Sequence, residues 1–208
     1  DAPEVAFVFS DAELVDAELR PLSARLSGAV HFGPEERRAT AAGKLFEVLV
    51  RGNVVTGATM AFRSRYRPLL LPFPQGVEHD AWIALLLSAL APVVYLDEPL
   101  IQYRQHDRNE IGARRVGLAG RLLRARRDRT NGLATQRARN LGALERLASL
   151  PLSARRRDLL RESAEHLGVR AGLPNSRARR VAPVLRELAG GGYRLSRGVA
   201  SAVRDLVA

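Results

Sequence analysis

Acidic side chains cluster directly after the first apolar segment of the chain. Residues 5–9 read Val-Ala-Phe-Val-Phe, a β-prone run, and Asp11, Glu13 and Asp16 follow it. This order predicts a buried strand that ends here and delivers acids at its carboxyl end, where open α/β sheets bind ligands. Two carboxylates two residues apart at a turn can face one cation, and such oxygen ligands suit Mg²⁺ or Mn²⁺. A solvated surface turn is the alternative interpretation.

A second polar group, Glu78, His79 and Asp80, stands directly before an apolar segment that predicts a buried helix over residues 81–87. Acids at a helix N-terminus are stabilised by the helix dipole, so capping is one interpretation. A carboxylate held there at the rim of a cleft can also take a proton from a hydroxyl group. The residues alone leave both interpretations open.

The third candidate group contains Gln102, Arg104 and His106, which alternate along the chain after a predicted strand over residues 93–96. In an extended segment these three side chains share one face. Three long polar side chains on one face favour a diphosphate or metal site over packing. Taken singly, a histidine is more often structural.

Alternating strand and helix signals over residues 1–112 predict an α/β fold that positions these groups. A helix is expected over residues 35–51, and a second strand over residues 53–62. Gly57 interrupts that strand and lets the backbone bend or approach a ligand.

The segment 113–208 differs in kind, because leucine and valine recur there at helical spacings with arginine between them. We predict three or four amphipathic helices with basic outer faces, with Ser153 as an N-cap and three glycines at 190–192 as a helix stop. Residues 1–112 carry 15 acidic and 11 basic residues, whereas residues 113–208 carry 7 acidic residues and 22 arginines. The basic part therefore binds an anionic partner or is a solvated helical surface.

Composition excludes several classes of protein. The chain of 208 residues contains no cysteine, which excludes disulfides, thiolate metal sites and a cysteine nucleophile. A hydrophobic share of 46% is typical of globular proteins. No apolar run approaches the roughly 20 residues that a membrane-spanning helix requires.

Four segments follow one another in an order that resembles family 2 glycosyltransferases, most closely the rhamnosyltransferase-like members that build bacterial surface polysaccharides. The segments are residues 9–16, 53–60, 79–83 and 103–112. The last is the most specific, because it reads Tyr-Arg-Gln-His and continues to Asn109 and Gly112. The tail over residues 192–206 is also similar to the end of such proteins, though more loosely.

The resemblance implies an inverting enzyme with a GT-A-type fold, which transfers a sugar from a nucleotide sugar to an acceptor hydroxyl. Rhamnose is the sugar suggested by the nearest members. Asp80 would be the general base that takes the acceptor proton. Asp11, Glu13 and His106 would hold Mg²⁺ or Mn²⁺ against the donor diphosphate. Glu13 stands where the family more commonly has aspartate.

The resemblance assigns the remaining candidates to binding. Those beside the donor diphosphate and its sugar are Gln102, Arg104, Thr56 and Gly57. Those on the acceptor side are Glu78, His79 and Trp82, with the tryptophan packed behind the base.

The family's fold opens with strands and helices that hold the nucleobase and ribose, and none of these precedes Asp1 in this sequence. The only methionine is the internal Met60. We therefore expect residues 1–112 to be the C-terminal part of a catalytic domain, inactive alone, and residues 113–208 to be a basic helical extension.

The implied partners are a nucleotide-sugar donor, a glycan or lipid-linked acceptor, and an anionic membrane surface against the basic helices. Each arginine near such a surface contributes on the order of 1 kcal/mol. A cytoplasmic location at the inner face of the cell membrane follows from the resemblance. The alternatives are a nucleic-acid-binding helical module and a non-catalytic interaction module. Residues 113–208 contain one aromatic side chain for base stacking, Tyr193, so no nucleic acid is expected.

Overall fold

The computed structural model describes residues 4–105 and 118–207, which divide into two compact units. The first unit contains described residues 4–49, 53–73 and 78–105, and it is a mixed α/β structure around a four-stranded sheet. The second contains residues 50–52, 74–77 and 118–207, and its long elements are helices. The predicted α/β class is therefore confirmed for the first unit.

The sheet is built around one central strand. Its strands are β1 (Phe7–Val15), β2 (Pro21–Arg25), β3 (Met60–Phe62) and β4 (Val93–Arg104). β4 pairs with β1 in parallel along the whole of β1, while β3 and β2 pair antiparallel with its first and last parts. Nearly every residue of β1 is buried, as expected for a strand covered on both faces.

The predicted acidic turn after residue 9 is wrong. β1 continues to Val15, so Asp11 and Glu13 lie inside the strand. β4 is likewise longer than the predicted 93–96 and includes Gln102 and Arg104. The register between the two strands shifts on either side of Asp11, where Asp11 lies opposite Pro99. Proline cannot donate to a sheet, so a local irregularity is expected at that point.

Short helices complete the first unit. They are α1 (Leu26–Ala29), α2 (Pro34–Ala41), α3 (Leu45–Arg51), α4 (Arg67–Leu70) and α5 (His79–Ser88). The single helix predicted over residues 35–51 is two helices, because Gly43 adopts a φ of 72° that a right-handed helix cannot continue. The strand predicted over residues 53–62 forms only as β3, which follows a 3-10 turn at Gly57–Thr59.

Four longer helices form most of the second unit. They are α6 (Leu118–Arg146), α7 (Ala154–Ala171), α8 (Arg177–Ala189) and α9 (Val199–Val207). The predicted cap at Ser153 is confirmed, since its side chain accepts a hydrogen bond from the Arg156 N–H at 3.3 Å. The predicted glycine stop is also confirmed, because α8 ends at Ala189 and Gly191 takes a φ of 75°. No helix among the described residues is long and apolar enough to cross a membrane.

A buried polar network ties α7, α8 and α9 together. The fully buried carboxylate of Asp205 accepts hydrogen bonds from Arg170 Nε at 2.8 Å and from the Tyr193 hydroxyl at 2.9 Å. The Asp205 carbonyl accepts one more from Arg180. Nearby, His166 Nδ1 lies 2.6 Å from Glu187 Oε1. Burial is the main cause that lowers the pKa of His166, so its ring is neutral at pH 7. The neutral ring donates a hydrogen bond from Nδ1 to the Glu187 carboxylate.

Candidate functional site

Asp80 lies in the first turn of α5 and is held there by three backbone and side-chain donors. Its Oδ1 accepts hydrogen bonds from the Ala81 N–H at 2.6 Å and from Asn53 Nδ2 at 3.4 Å. Its Oδ2 accepts one from the Gly57 N–H at 3.0 Å. A carboxylate offers about four acceptor positions, so one on Oδ2 stays free of donors from the described residues. Asp80 is half-buried, so this position can meet a substrate hydroxyl.

Gly57 makes this arrangement possible by bringing its backbone close to α5. A Cβ atom at residue 57 would lie 2.9 Å from His79 Nε2 and 3.4 Å from Asp80 Cβ. The sequence predicts that the backbone bends or approaches a ligand at this glycine; the backbone bends into the 3-10 turn there, and its close contacts are with His79 and Asp80. Asn53, which is not among the predicted site residues, supports the same loop. Its Nδ2 donates a hydrogen bond to the Val55 carbonyl, and its Oδ1 accepts one from the Val55 N–H. Such asparagine turns are a recognisable sequence signal.

Thr56, the residue before Gly57, lines a small cavity beside this loop. Its hydroxyl oxygen is buried and has no hydrogen-bond partner among the described residues. The cavity has a volume of about 10 Å³, which is room for about one water molecule, and is also lined by Ser10, Asp11, Ser27 and Tyr95. An unpaired buried hydroxyl costs about 1–3 kcal/mol. The position therefore suits a single water molecule.

Asp11 is fully buried and is surrounded by donors from its own chain. Its Oδ1 accepts from the Ala12 N–H at 2.8 Å and the Ser27 N–H at 2.9 Å, and its Oδ2 accepts from the Ser27 hydroxyl at 2.7 Å. Arg25 and Arg37 each approach Oδ2 to 3.7 Å. Burial alone would raise the pKa of Asp11, but the bonds from Ser27 and Ala12 and the charge of Arg25 outweigh it and lower the pKa.

This donor set does not fit a divalent cation at Asp11. Three short hydrogen bonds take all but one of the acceptor positions of this carboxylate, and two guanidinium groups 3.7 Å from Oδ2 repel a cation at the remaining one. Across the described residues, no three histidine, aspartate or glutamate side chains stand together as a metal site would require. His106, the third predicted ligand, lies outside the described residues. The assignment of Mg²⁺ or Mn²⁺ stays a prediction of the resemblance, with no support at Asp11.

Gln102, Arg104 and Glu13 lie side by side across two strands. Gln102 of β4 pairs in register with Glu13 of β1, so their side chains extend from the same face of the sheet. Gln102 and Arg104 are exposed, and they alternate with Ile101 and Tyr103, which pack on the core. The predicted shared face is confirmed for Gln102 and Arg104.

The acceptor-side candidates separate into surface and core. Glu78 and His79 are exposed at the start of α5. Trp82 is 1% exposed and donates from its ring nitrogen to the Leu70 carbonyl at 3.0 Å. It therefore anchors the helix that carries Asp80, as a residue packed behind the base would, and presents no surface to an acceptor.

A charged cluster that sequence reasoning missed surrounds the Asp11 cavity. Arg37 pairs with Asp97 at 2.6 Å, and Arg25 lies 3.5 Å from the same carboxylate. Arg37 also stacks over the Tyr95 ring and donates to the Ser27 hydroxyl at 2.9 Å. These residues are distant in sequence and show no shared spacing, so only the fold brings them together.

We expect Asp11→Asn to destabilise the first unit by about 2 kcal/mol, because the amide loses the charge and presents N–H groups to donors. The lowered pKa fixes the pH dependence. Asp11 stabilises the fold above its ordinary pKa of 3.8, and this contribution is lost as pH falls through the folded value.

Urea unfolding followed by fluorescence of Trp82, the only tryptophan, measures this difference at several pH values. The gap between wild type and variant should stay constant above about pH 5 and shrink in stronger acid. Asp97→Asn, at an exposed partner of the same arginines, is the control and should cost under about 1 kcal/mol. If Asp11→Asn lowers the free energy of unfolding by no more than Asp97→Asn does, Asp11 does not anchor the fold.

Comparisons with protein-family models, with curated proteins and with solved structures find no match to this chain.

Proposed function

We propose that this chain carries the acceptor-activating part of an inverting sugar transferase with a GT-A-type catalytic domain. The reaction would move a sugar from a nucleotide sugar to a hydroxyl of a glycan or lipid-linked acceptor. Rhamnose is the sugar that the resemblance to rhamnosyltransferase-like proteins suggests. The biological setting would be cell-surface polysaccharide synthesis. The observation that carries the proposal is Asp80: a half-buried carboxylate, held by Gly57, Asn53 and Ala81, with one acceptor position left for a substrate.

Asp80 would act as a general base. The acceptor hydroxyl donates its hydrogen bond to the open position on Oδ2, and its proton passes to the carboxylate as the oxygen attacks. The new bond forms between this oxygen and the anomeric carbon, while the bond from that carbon to the diphosphate oxygen breaks. The nucleoside diphosphate leaves with the bonding electrons. Attack from the face opposite the leaving group inverts the anomeric configuration.

The surrounding residues support this chemistry by fixing the base. Hydrogen bonds to both carboxylate oxygens restrict the rotation of Asp80, and positioning of this kind is a large part of enzymatic rate enhancement. The resemblance places Thr56 beside the donor sugar, and its buried hydroxyl has no hydrogen-bond partner among the described residues. Gln102 and Arg104 offer donors of the type that diphosphate oxygens accept. Because Asp11 does not fit a metal, no step is assigned to a cation.

A donor panel tests the proposal. The full-length protein is incubated with nucleotide sugars that vary in base and sugar, and with lipid-linked glycan acceptors. Release of nucleoside diphosphate is measured together with the glycosylated product. Acceptor-dependent release supports the proposal. Absence of transfer and of donor hydrolysis across the panel would refute it.

A further inference from the structure

Helix α9 has an unusual distribution of polar and apolar residues. The residues it buries include Ser201 and Asp205, which are 4% and 0% exposed. Val199, Val203 and Val207 recur at every fourth position on the outer side and are 65%, 52% and 57% exposed. The helix therefore turns polar groups inward and a row of valines outward, which is the reverse of an ordinary surface helix.

Helix α8 repeats the pattern beside it. α8 and α9 pack together through Val184 and Ala202, which are buried along with Tyr193. A row of outward apolar residues runs along α8, and these residues are 38–54% exposed. We define the α8–α9 stripe as Val181, Leu185, Leu188, Val199, Val203 and Val207. Scattered exposed hydrophobic residues are normal, but regular rows on two packed helices indicate a binding surface.

The charges around the stripe have one sign. Residues 177–207 contain two acids: Asp205 is buried against Arg170, and Glu187 is 21% exposed and accepts a hydrogen bond from the neutral His166. Five exposed arginines have no acidic partner within ion-pairing distance in the part of the chain that the structure describes. They are Arg177, Arg179, Arg186, Arg197 and Arg204. The outer surface of both helices is therefore apolar and cationic.

The arginines also occupy particular places beside the stripe. Arg186 and Arg204 directly follow Leu185 and Val203, so on a helix with 3.6 residues per turn each is rotated by about 100° from that apolar residue and lies on the flank of its helix. Arg177 continues the row one turn before Val181. Arginine on such a flank can lay its aliphatic stem on an apolar phase while its guanidinium group stays at a polar boundary.

We infer that the α8–α9 stripe docks on an anionic lipid surface, with its valines and leucines in the acyl boundary and its arginines at the lipid phosphates. Charge complementarity selects this occupant, because apolar rows bordered by arginine match an interfacial helix on an anionic leaflet. A second copy of this chain would place like charges opposite each other. Nucleic acid would pair with the arginines but leave the apolar row in water. This inference is independent of the proposed sugar transfer.

Vesicle cosedimentation of the full chain tests it. The vesicles contain phosphatidylcholine alone or phosphatidylcholine with phosphatidylglycerol. One variant, Leu185→Ser with Val203→Ser, interrupts the apolar rows, and another, Arg186→Gln with Arg204→Gln, removes two bordering charges. Matched controls change exposed residues elsewhere in the same unit: Leu141→Ser with Val169→Ser, and Arg155→Gln with Arg161→Gln. Circular dichroism verifies that every variant is folded.

We expect binding to the anionic vesicles, weakened at least tenfold by each stripe variant and under twofold by each control. Two arginines at about 1 kcal/mol each correspond to more than tenfold in partition. Three results would overturn the inference: no binding to anionic vesicles, equal losses in the controls, or tighter binding to duplex DNA than to the vesicles. The inference would also be overturned if the chain forms a dimer without lipid and the Leu185→Ser with Val203→Ser variant is a monomer, because the stripe would then join two copies.

Discussion

Replacement of Asp80 by asparagine is expected to lower kcat for sugar transfer by at least about 100-fold, the usual loss when a general base is removed. The amide keeps the size of the side chain and can still accept a hydrogen bond through its oxygen. Asparagine cannot take the acceptor proton, so the loss should appear in kcat with little change in KM. A residue that only stabilises the helix terminus would give a different result, because its loss would lower stability and leave kcat intact.

Steady-state kinetics of the full-length protein measure this effect, and Trp82 fluorescence verifies that the variant stays folded. Asp158→Asn is the control, since that carboxylate is exposed on α7 and pairs only with exposed Arg161 among the described residues. The control should keep its kcat within about twofold, as expected for a residue outside the reacting groups. If Asp80→Asn keeps more than a tenth of the wild-type kcat, Asp80 is not the base.

The second large effect is on stability. Asp205→Asn should destabilise the second unit by about 3–5 kcal/mol, because it leaves the Arg170 guanidinium buried without its counter-charge. Arg170 is 8% exposed and bonds the carboxylate through Nε and Nη2. Tyr193 loses its carboxylate acceptor in the same substitution. An exposed ion pair of the same type would contribute only about 0–1 kcal/mol.

Urea unfolding followed by circular dichroism reports on the helices of this unit. Asp158→Asn again serves as the control and should cost under about 0.5 kcal/mol. The double variant Arg170→Met with Asp205→Leu separates the causes, because replacing both charges with apolar groups should restore much of the stability. A loss below about 1 kcal/mol in Asp205→Asn would mean that Arg170 finds compensation elsewhere.

Local sequence signals predict the elements where local chemistry decides the structure. The apolar run after Asp80 forms α5, the oxygen of Ser153 caps α7, and the glycines after Ala189 end α8. In each case a few neighbouring residues determine the backbone. The same reasoning placed Asp80 at the N-terminus of a buried helix, and the structure puts it in the first turn of α5.

Long-range partners explain the main errors. A buried aspartate inside a strand is costly unless it is paired, so the sequence favours a turn at Asp11. Ser27, 16 residues away, supplies the donors that make the buried position stable. For the same reason, β4 continues past Pro99 because β1 pairs with it again beyond the irregularity.

Helical periodicity identifies an apolar face without showing which way it points. Val181, Leu185 and Leu188 share the spacing of core residues, yet all three are exposed and Val184 is buried. In α9 the inward positions are fixed by the pairing of Asp205 with Arg170, which turns the valines to the surface. Polar burial therefore decides the orientation of these helices, and spacing alone could not reveal it.

The stereochemistry of transfer tests the central proposal most directly. The full-length protein is supplied with a nucleotide sugar of known anomeric configuration, and NMR of the new glycoside reads the one-bond coupling between C1 and H1, which differs between the two anomers, before any further conversion. Direct displacement with Asp80 as a single base predicts inversion at the anomeric carbon. Retention of configuration would require a second displacement or a covalent sugar–enzyme intermediate, and it would contradict the role assigned to Asp80.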